Sequence, residues 1–240
     1  MGLSVLHISD IHAVARPDAL VYGREAGANL RRVVDAARAR RPHFDVVAAT
    51  GDVADDASPE AYRRVHGLLR PLGDVLRWVP GNHDDPERMA DVDDDALTSA
   101  SVGRWRVITL DSRWPGRIPG RTTAGAIERL DAELDEAEGS PCAVLVHHPP
   151  RPLCDDPDCQ IADPRPVLDV IDRHPDVRVV LSGHLHRSFS RVSGRTCWIG
   201  APSTCMQIDH CSHIDTAEPP GAHAVELGDD GSVLVTPFHA

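Results

Sequence analysis

Five short segments, each closing an apolar run, constrain this chain more than any other feature. They are Asp10-Ile11-His12, Gly51-Asp52, Gly81-Asn82-His83-Asp84, His147-His148-Pro149-Pro150 and Gly183-His184-Leu185-His186. The apolar runs before them, such as Leu3 to Ser9 and Phe44 to Thr50, read as buried strands. In an open α/β sheet, ligands collect beyond the carboxyl ends of the strands. Asp, Asn and His delivered to five strand ends therefore meet along one edge. These are the donors of borderline divalent metals, so the pattern implies one binuclear metal centre of the kind that serves phosphoester hydrolysis. The two-residue spacing of Asp10 with His12, and of His184 with His186, puts each pair on one side of an extended backbone.

Between the segments strands and helices alternate. Leu30, Val33, Val34 and Ala37 recur at helical spacing in Ala26 to Arg40, and Pro42 ends that helix. Ser58 followed by Pro59 opens a second helix as cap and first residue. Asp74 to Val79, Trp105 to Leu110, Cys142 to Val146 and Val177 to Leu181 are strands, Thr123 to Glu138 and Arg165 to Arg173 helices, and Pro86 to Ala100 a short helix with a loop. After Gly183 come four short strands without helices: Arg187 to Val192, Arg195 to Gly200, Ala222 to Leu227 and Ser232 to Pro237. Alternation followed by late antiparallel strands predicts two packed sheets with helices outside. Residues 1–240 read as a single domain, in which 201–221 is a substrate-capping loop joined by Trp114 to Arg121.

Charge and cysteine usage narrow the class. A formal net charge of −12 argues against a long nucleic acid as partner, since that needs a basic footprint. Every basic residue other than histidine is Arg, a side chain suited to phosphate. No secretory segment and no membrane-spanning run is visible, so a cytoplasmic protein is the expectation. The six cysteines predict no disulfide framework in such a compartment. Cys154 and Cys159 read as a small loop staple or metal clip.

The five segments resemble the pattern of the calcineurin-like metallophosphoesterase superfamily, and they span residues 10 to 186. The resemblance implies an α/β fold, a four-layer αββα sandwich of two mixed sheets flanked by helices. It implies one metal held by Asp10, His12, Asp52 and His186, and a second held by Asp52, Asn82, His147 and His184, with Asp52 as the bridge. His83 matches a catalytic histidine that assists the departing oxygen without binding metal. His147 rather than His148 is the ligand by likeness to relatives with the same His-His-Pro-Pro run. Tyr22-Gly23, Gly51-Asp52-Val53-Ala54-Asp55 and Gly81-Asn82-His83-Asp84-Asp85 are similar to bacterial class III cyclic nucleotide phosphodiesterases and to glycerophosphodiesterases.

The implied cofactors are two metal ions, manganese, iron or zinc, which would activate a bridging hydroxide to attack a small phosphodiester. A 3′,5′-cyclic nucleotide is the expected substrate, with a glycerophosphodiester or a monoester as the alternative and a non-catalytic scaffold as the reading from another class. Arg16, Asp55, His148, His210 and His213 are the candidate substrate-side residues. Asp84 and Asp111 are candidate partners of the ligand histidines. The sequence leaves homo-oligomerisation open.

Overall fold

The computed structural model describes residues 2–151, 156–209 and 214–240, without the side chains of 209, 214 and 215. Cys154, His210, Cys211 and His213 lie outside the described residues. In chain order the strands are β1 Leu3–Ile8, β2 Phe44–Ala49, β3 Gly73–Trp78, β4 Ala100–Val102, β5 Trp105–Leu110, β6 Cys142–Val146, β7 Val177–Ser182, β8 Phe189–Ser193, β9 Thr196–Gly200, β10 Ile208–Asp209, β11 Ile214–Asp215, β12 Gly221–Leu227 and β13 Val233–His239. The α-helices are α1 Ala26–Arg40, α2 Pro59–Leu69, α3 Pro86–Asp93, α4 Ala124–Glu136 and α5 Arg165–Arg173.

Two mixed sheets carry the architecture. The first has the order β13-β12-β1-β2-β3 and the second β4-β5-β6-β7-β9-β8. In the first, β1, β2 and β3 run parallel while β12 and β13 return antiparallel. In the second, β5, β6, β7 and β9 are parallel, and β4 and β8 are antiparallel edges. β10 and β11 form a separate ribbon.

Period-two alternation builds the layers. Val46 and Ala48 of β2 enter the core between the sheets, where they join Val5, Leu145 and Leu181. Their neighbours Val47 and Ala49 face the other way and pack with Leu30, Val33 and Val34 of α1 and Tyr62 and Val65 of α2. On the second sheet Val144 and Val146 pack with Leu130 and Leu134 of α4 and Val170 and Ile171 of α5. Three cores thus separate four layers, helix, sheet, sheet, helix. Ser58 caps α2 by accepting from the Ala61 N–H at 3.3 Å, with Pro59 opening the helix. Among the described residues no helix is long and apolar enough to cross a membrane.

Candidate metal centre

The predicted site residues lie just past the strand ends, but not on extended backbone. Asp10, His12, Asp52, His184 and His186 have φ of 51°, 49°, 48°, 69° and 46°. This corrects the reading of the two-residue spacings: the pairs converge because the chain turns left-handed at each residue. Such φ values are uncommon outside glycine and concentrate where function over-determines them. Here the over-determination is visible. Ile11 and His12 both donate backbone N–H bonds to the Asp52 carbonyl at 2.9 Å, and Asp10 donates to the Gly51 carbonyl at 3.1 Å. The late loop grips the same turn from behind, with the Ser203 hydroxyl and the Cys205 N–H both donating to the Asp10 carbonyl.

Glycine precedes the site residues for steric reasons. A Cβ on Gly81 would lie 2.1 Å from Asp52 Oδ1, and one on Gly183 would lie 1.9 Å from Ser9 Oγ and 2.9 Å from Asp10 Oδ2. The side chains pack into the space a methyl group would fill.

The side chains form adjoining groups. Asp10, His12, Asp52 and His186, all buried, place one donor atom each within 4.8 Å of one another, and so do His147, His148 and His184. His12 Nε2 is 3.1 Å from His186 Nε2, and His186 Nε2 is 3.4 Å from Asp10 Oδ1. Asp52 stands between the groups: its Oδ2 is 3.6 Å from His12 Nε2 and 3.5 Å from His147 Nε2. Asn82 Oδ1 reaches the same His147 nitrogen at 3.3 Å.

The donor set fits divalent cations. The Nδ1 atoms of His12, His147 and His186 are engaged by Asp55 Oδ1 at 3.0 Å, the Thr50 carbonyl at 2.7 Å and the Met206 carbonyl at 2.9 Å. An oxygen at Nδ1 fixes the proton there and turns the Nε2 lone pair inward, the usual arrangement of metal-binding histidines. Lone pairs and carboxylates converging in a buried space are costly unless a cation lies among them. Charge preferences agree. Burial alone would raise the Asp52 carboxyl, but His147 and His12 outweigh it and hold it well below the usual carboxylate range. Burial alone would lower His147, but Asp52 and Asp10 raise it to about 9. The space beside Asp52 favours positive charge, whereas burial, then His147, lowers His184 to about 4 and keeps it neutral, with its Nε2 2.6 Å from the Asp158 carbonyl.

The remaining expected residues divide. His83 is in place: its N–H donates to Asp52 Oδ1 at 3.0 Å, and its Nδ1 lies 3.3 Å from both the carbonyl and Oδ1 of Asp55. Asp55 therefore orients His12 and His83. His148 is wholly buried, with Nδ1 at 2.9 Å from Ser112 Oγ and Nε2 at 3.0 Å from the Ile118 carbonyl, which makes it an anchor for the 112–121 loop. Asp84 is not a histidine partner. It accepts from the Val53, Ala54 and Gly81 N–H groups and from the Tyr62 hydroxyl, stitching two site loops together. Asp111 accepts from the Arg113 N–H at 2.7 Å. Arg16 is 79% exposed, pairs with Asp18 at 3.7 Å and lines a recess that Asp55 also lines. Cys159 is buried. Sequence reasoning missed Ser203, Ser112 and Tyr62, whose hydroxyls support the site from segments that carry no recognisable pattern.

Comparison with known proteins agrees with this geometry. The profile of the calcineurin-like phosphoesterase family matches residues 3–188. A 3′,5′-cyclic adenosine monophosphate phosphodiesterase, CpdA, of Pseudomonas aeruginosa is 34% identical over 234 residues, covering 95% of this chain and 86% of that protein. A probable cyclic nucleotide phosphodiesterase of Synechococcus is 34% identical over 97% of this chain and 90% of its own length. Among solved structures, a dimetal phosphatase from Danio rerio superposes with a TM-score of 0.70 at 18% identity over 97% of this chain and 98% of that one, a likeness of fold. The four-layer sandwich, the grouped donors and the match over most of its length lead to one conclusion: the chain belongs to the calcineurin-like phosphoesterase family.

Proposed function

We propose that this protein hydrolyses 3′,5′-cyclic nucleotides at a centre of two divalent cations. Asp10, His12, Asp52 and His186 would hold one cation, and Asp52, Asn82, His147 and His184 the other. The observation that carries the proposal is the place of Asp52, whose Oδ2 lies at nearly equal distances from His12 Nε2 and His147 Nε2. The relatives named as cyclic nucleotide phosphodiesterases, matched over almost the whole chain, support the choice of substrate. Two bound cations supply charge neutralisation at the phosphoryl oxygens and an acidified water near neutral pH.

The chain's own residues supply the rest. His83 is tethered at its backbone by Asp52 and at Nδ1 by Asp55, so its Nε2 is the atom left to donate a proton to the departing alkoxide. Asp55 keeps the imidazoles of His12 and His83 in register with each other. His148, sealed by Ser112 and Ile118, braces the rings of His147 and His184, whose centroids lie 4.7 and 4.5 Å away. The reading treats residues 1–240 as one domain acting in the cytoplasm on a small soluble diester.

The test is a hydrolysis panel on purified, metal-reconstituted protein with cyclic AMP, cyclic GMP, glycerophosphodiesters and a phosphomonoester. Cyclic nucleotides should give the highest kcat/KM. A higher value for a glycerophosphodiester or for the monoester would replace the proposal with that activity.

A further inference from the structure

Beside the metal centre the chain after His12 folds back around a recess of about 410 Å³. Val14, Leu20, Val21 and Tyr22 form its wall, and Asp55 and Asp56 line its acidic side. That volume lies in the range of small-molecule sites, roughly 300–1,000 Å³. The wall is firmly held. Val21 and Arg24 exchange backbone bonds of 2.9 and 2.8 Å around the Tyr22-Gly23 turn. Val21 packs with Ala26 and Cys205, and Arg64 donates to the Val14 and Ala15 carbonyls at 2.7 Å each.

Two features mark the recess as a ligand surface. Leu20 and Tyr22 are 62% and 57% exposed although both are large and apolar, and apolar exposure beside a catalytic centre suits a binding role. Tyr22 also holds φ 49°, a conformation that a bulky residue seldom adopts. That turn sets its ring edge-on to His12, centroids 5.8 Å apart at 85°. Asp55 connects the recess to the chemistry, with Oδ1 at 3.0 Å from His12 Nδ1 and 3.3 Å from His83 Nδ1. A group attached to a phosphate at the metal centre would have this recess next to it.

Charge of both signs rims the recess, Arg16 on one part of the lining and Asp55 and Asp56 on another. Asp56 belongs to the wall itself. It accepts from the Ala15 N–H at 2.9 Å and the Ser58 N–H at 3.1 Å. Burial pushes its carboxyl up, but these bonds outweigh that and hold it below the ordinary range. The Ser58 hydroxyl and its own backbone N–H engage it as well, so Asp56 fixes the Ala15 end of the wall.

We propose that the recess seats the nucleobase of the substrate, an aromatic heterocycle lying against Leu20 and Tyr22. The inference rests on the diesterase reading for where the phosphate sits. It moves part of the substrate recognition expected of 201–221 to the segment 14–22.

Equilibrium binding separates the base from the bond that is cleaved. Manganese-loaded protein is titrated calorimetrically with adenosine 5′-monophosphate, inosine 5′-monophosphate and ribose 5-phosphate. The adenine nucleotide should bind about tenfold tighter than ribose 5-phosphate, within the range of one base–aromatic stack, and the inosine nucleotide, whose base is equally flat, should share that advantage. Leu20→Ser alters a residue in none of the metal-binding groups. It should remove most of the adenine advantage and leave ribose 5-phosphate affinity unchanged, and Tyr22→Ala should remove the advantage too. Equal binding of the adenine nucleotide and ribose 5-phosphate by the parent, or an advantage that survives Leu20→Ser, overturns the assignment. An inosine nucleotide bound no tighter than ribose 5-phosphate overturns it as well. A protein that cleaves no cyclic nucleotide defeats the diesterase reading instead, and these affinities still decide the recess.

Discussion

The core between the sheets and the rim beyond their carboxyl ends are buried alike and built from opposite materials. Val46, Ala48, Val179 and Ile199 are 0% exposed in the core, extended and apolar. Just past the ends of neighbouring strands in the same sheets, Asp10 and His147 are also 0% exposed, and Asp10, Asp52 and His184 stand on left-handed backbone. Left-handed φ costs an L-residue roughly 1–2 kcal/mol, and a buried carboxylate costs more unless it is paired. The core gains free energy from burial and the rim uses it. Packing can therefore hold in place an array of donors that would not assemble alone.

The comparison breaks most sharply at Asp52. If the rim exists to hold two cations on one carboxylate, Asp52→Ala should lose metal from both positions and hydrolytic activity should fall to background, while the apolar core keeps the chain folded. Metal analysis by mass spectrometry together with circular dichroism checks both halves. Full two-metal occupancy in the variant would falsify the bridge.

A smaller loss is expected at His83, which touches Asp52 only through its backbone. His83→Ala should retain both metals and lose about 10²- to 10⁴-fold in rate on diesters with alkoxide leaving groups, the usual span for a lost general acid. Nitrophenyl esters, whose leaving group needs no proton, should lose much less. Equal losses on both substrates would leave His83 with positioning alone. At the core the sign of the outcome reverses. Leu145→Ala should cost about 2–5 kcal/mol in denaturant unfolding, with metal stoichiometry and kcat intact. Loss of metal in that variant would mean that the core sets the rim geometry far more tightly than the layered packing suggests.

The same contrast explains what was legible in the sequence. The core was, because the apolar runs of β2 and β6 follow from burial on both faces and the helical spacing in α1 from burial on one. α1 spans Ala26–Arg40 as its periodicity predicts. β4 escaped because three residues, two half-buried around an exposed Ser101, are too few to show a period. At the rim the residue types were legible from donor chemistry and from family resemblance, but the backbone was not, since nothing in Asp10 or His186 announces a positive φ. Asp84 was misread for a related reason. A carboxylate beside a histidine looks like its partner, yet three backbone N–H groups and Tyr62 claim it. The support from Ser203 and Cys205 depends on a loop returning from more than 190 residues away in sequence, and local pattern carries no record of that.

One pair of residues has the burial of the core and the chemistry of the rim. His7 and His223 face each other across β1 and β12, with ring centroids 5.7 Å apart. Their Nε2 atoms meet Thr50 Oγ1 at 3.0 Å and Ser188 Oγ at 2.8 Å. Burial, then the neighbouring His223, keeps His7 well below the usual histidine range, and burial, then His239, lowers His223 to about 4. Both are neutral in the fold, whereas the unfolded chain takes up protons near pH ~6.5. Their contribution is therefore complete above that pH and is lost as pH falls toward the folded value. For His223 the loss between pH 7 and pH 5 is about 2 kcal/mol by proton linkage. Denaturant unfolding of chelator-treated protein at the two pH values, for the parent and for His223→Gln, measures it. The parent should lose about 2 kcal/mol more than the variant. If both lose the same amount, acid sensitivity belongs to the rim, where burial lowers His148 and His184, and the His7–His223 pair behaves as ordinary core.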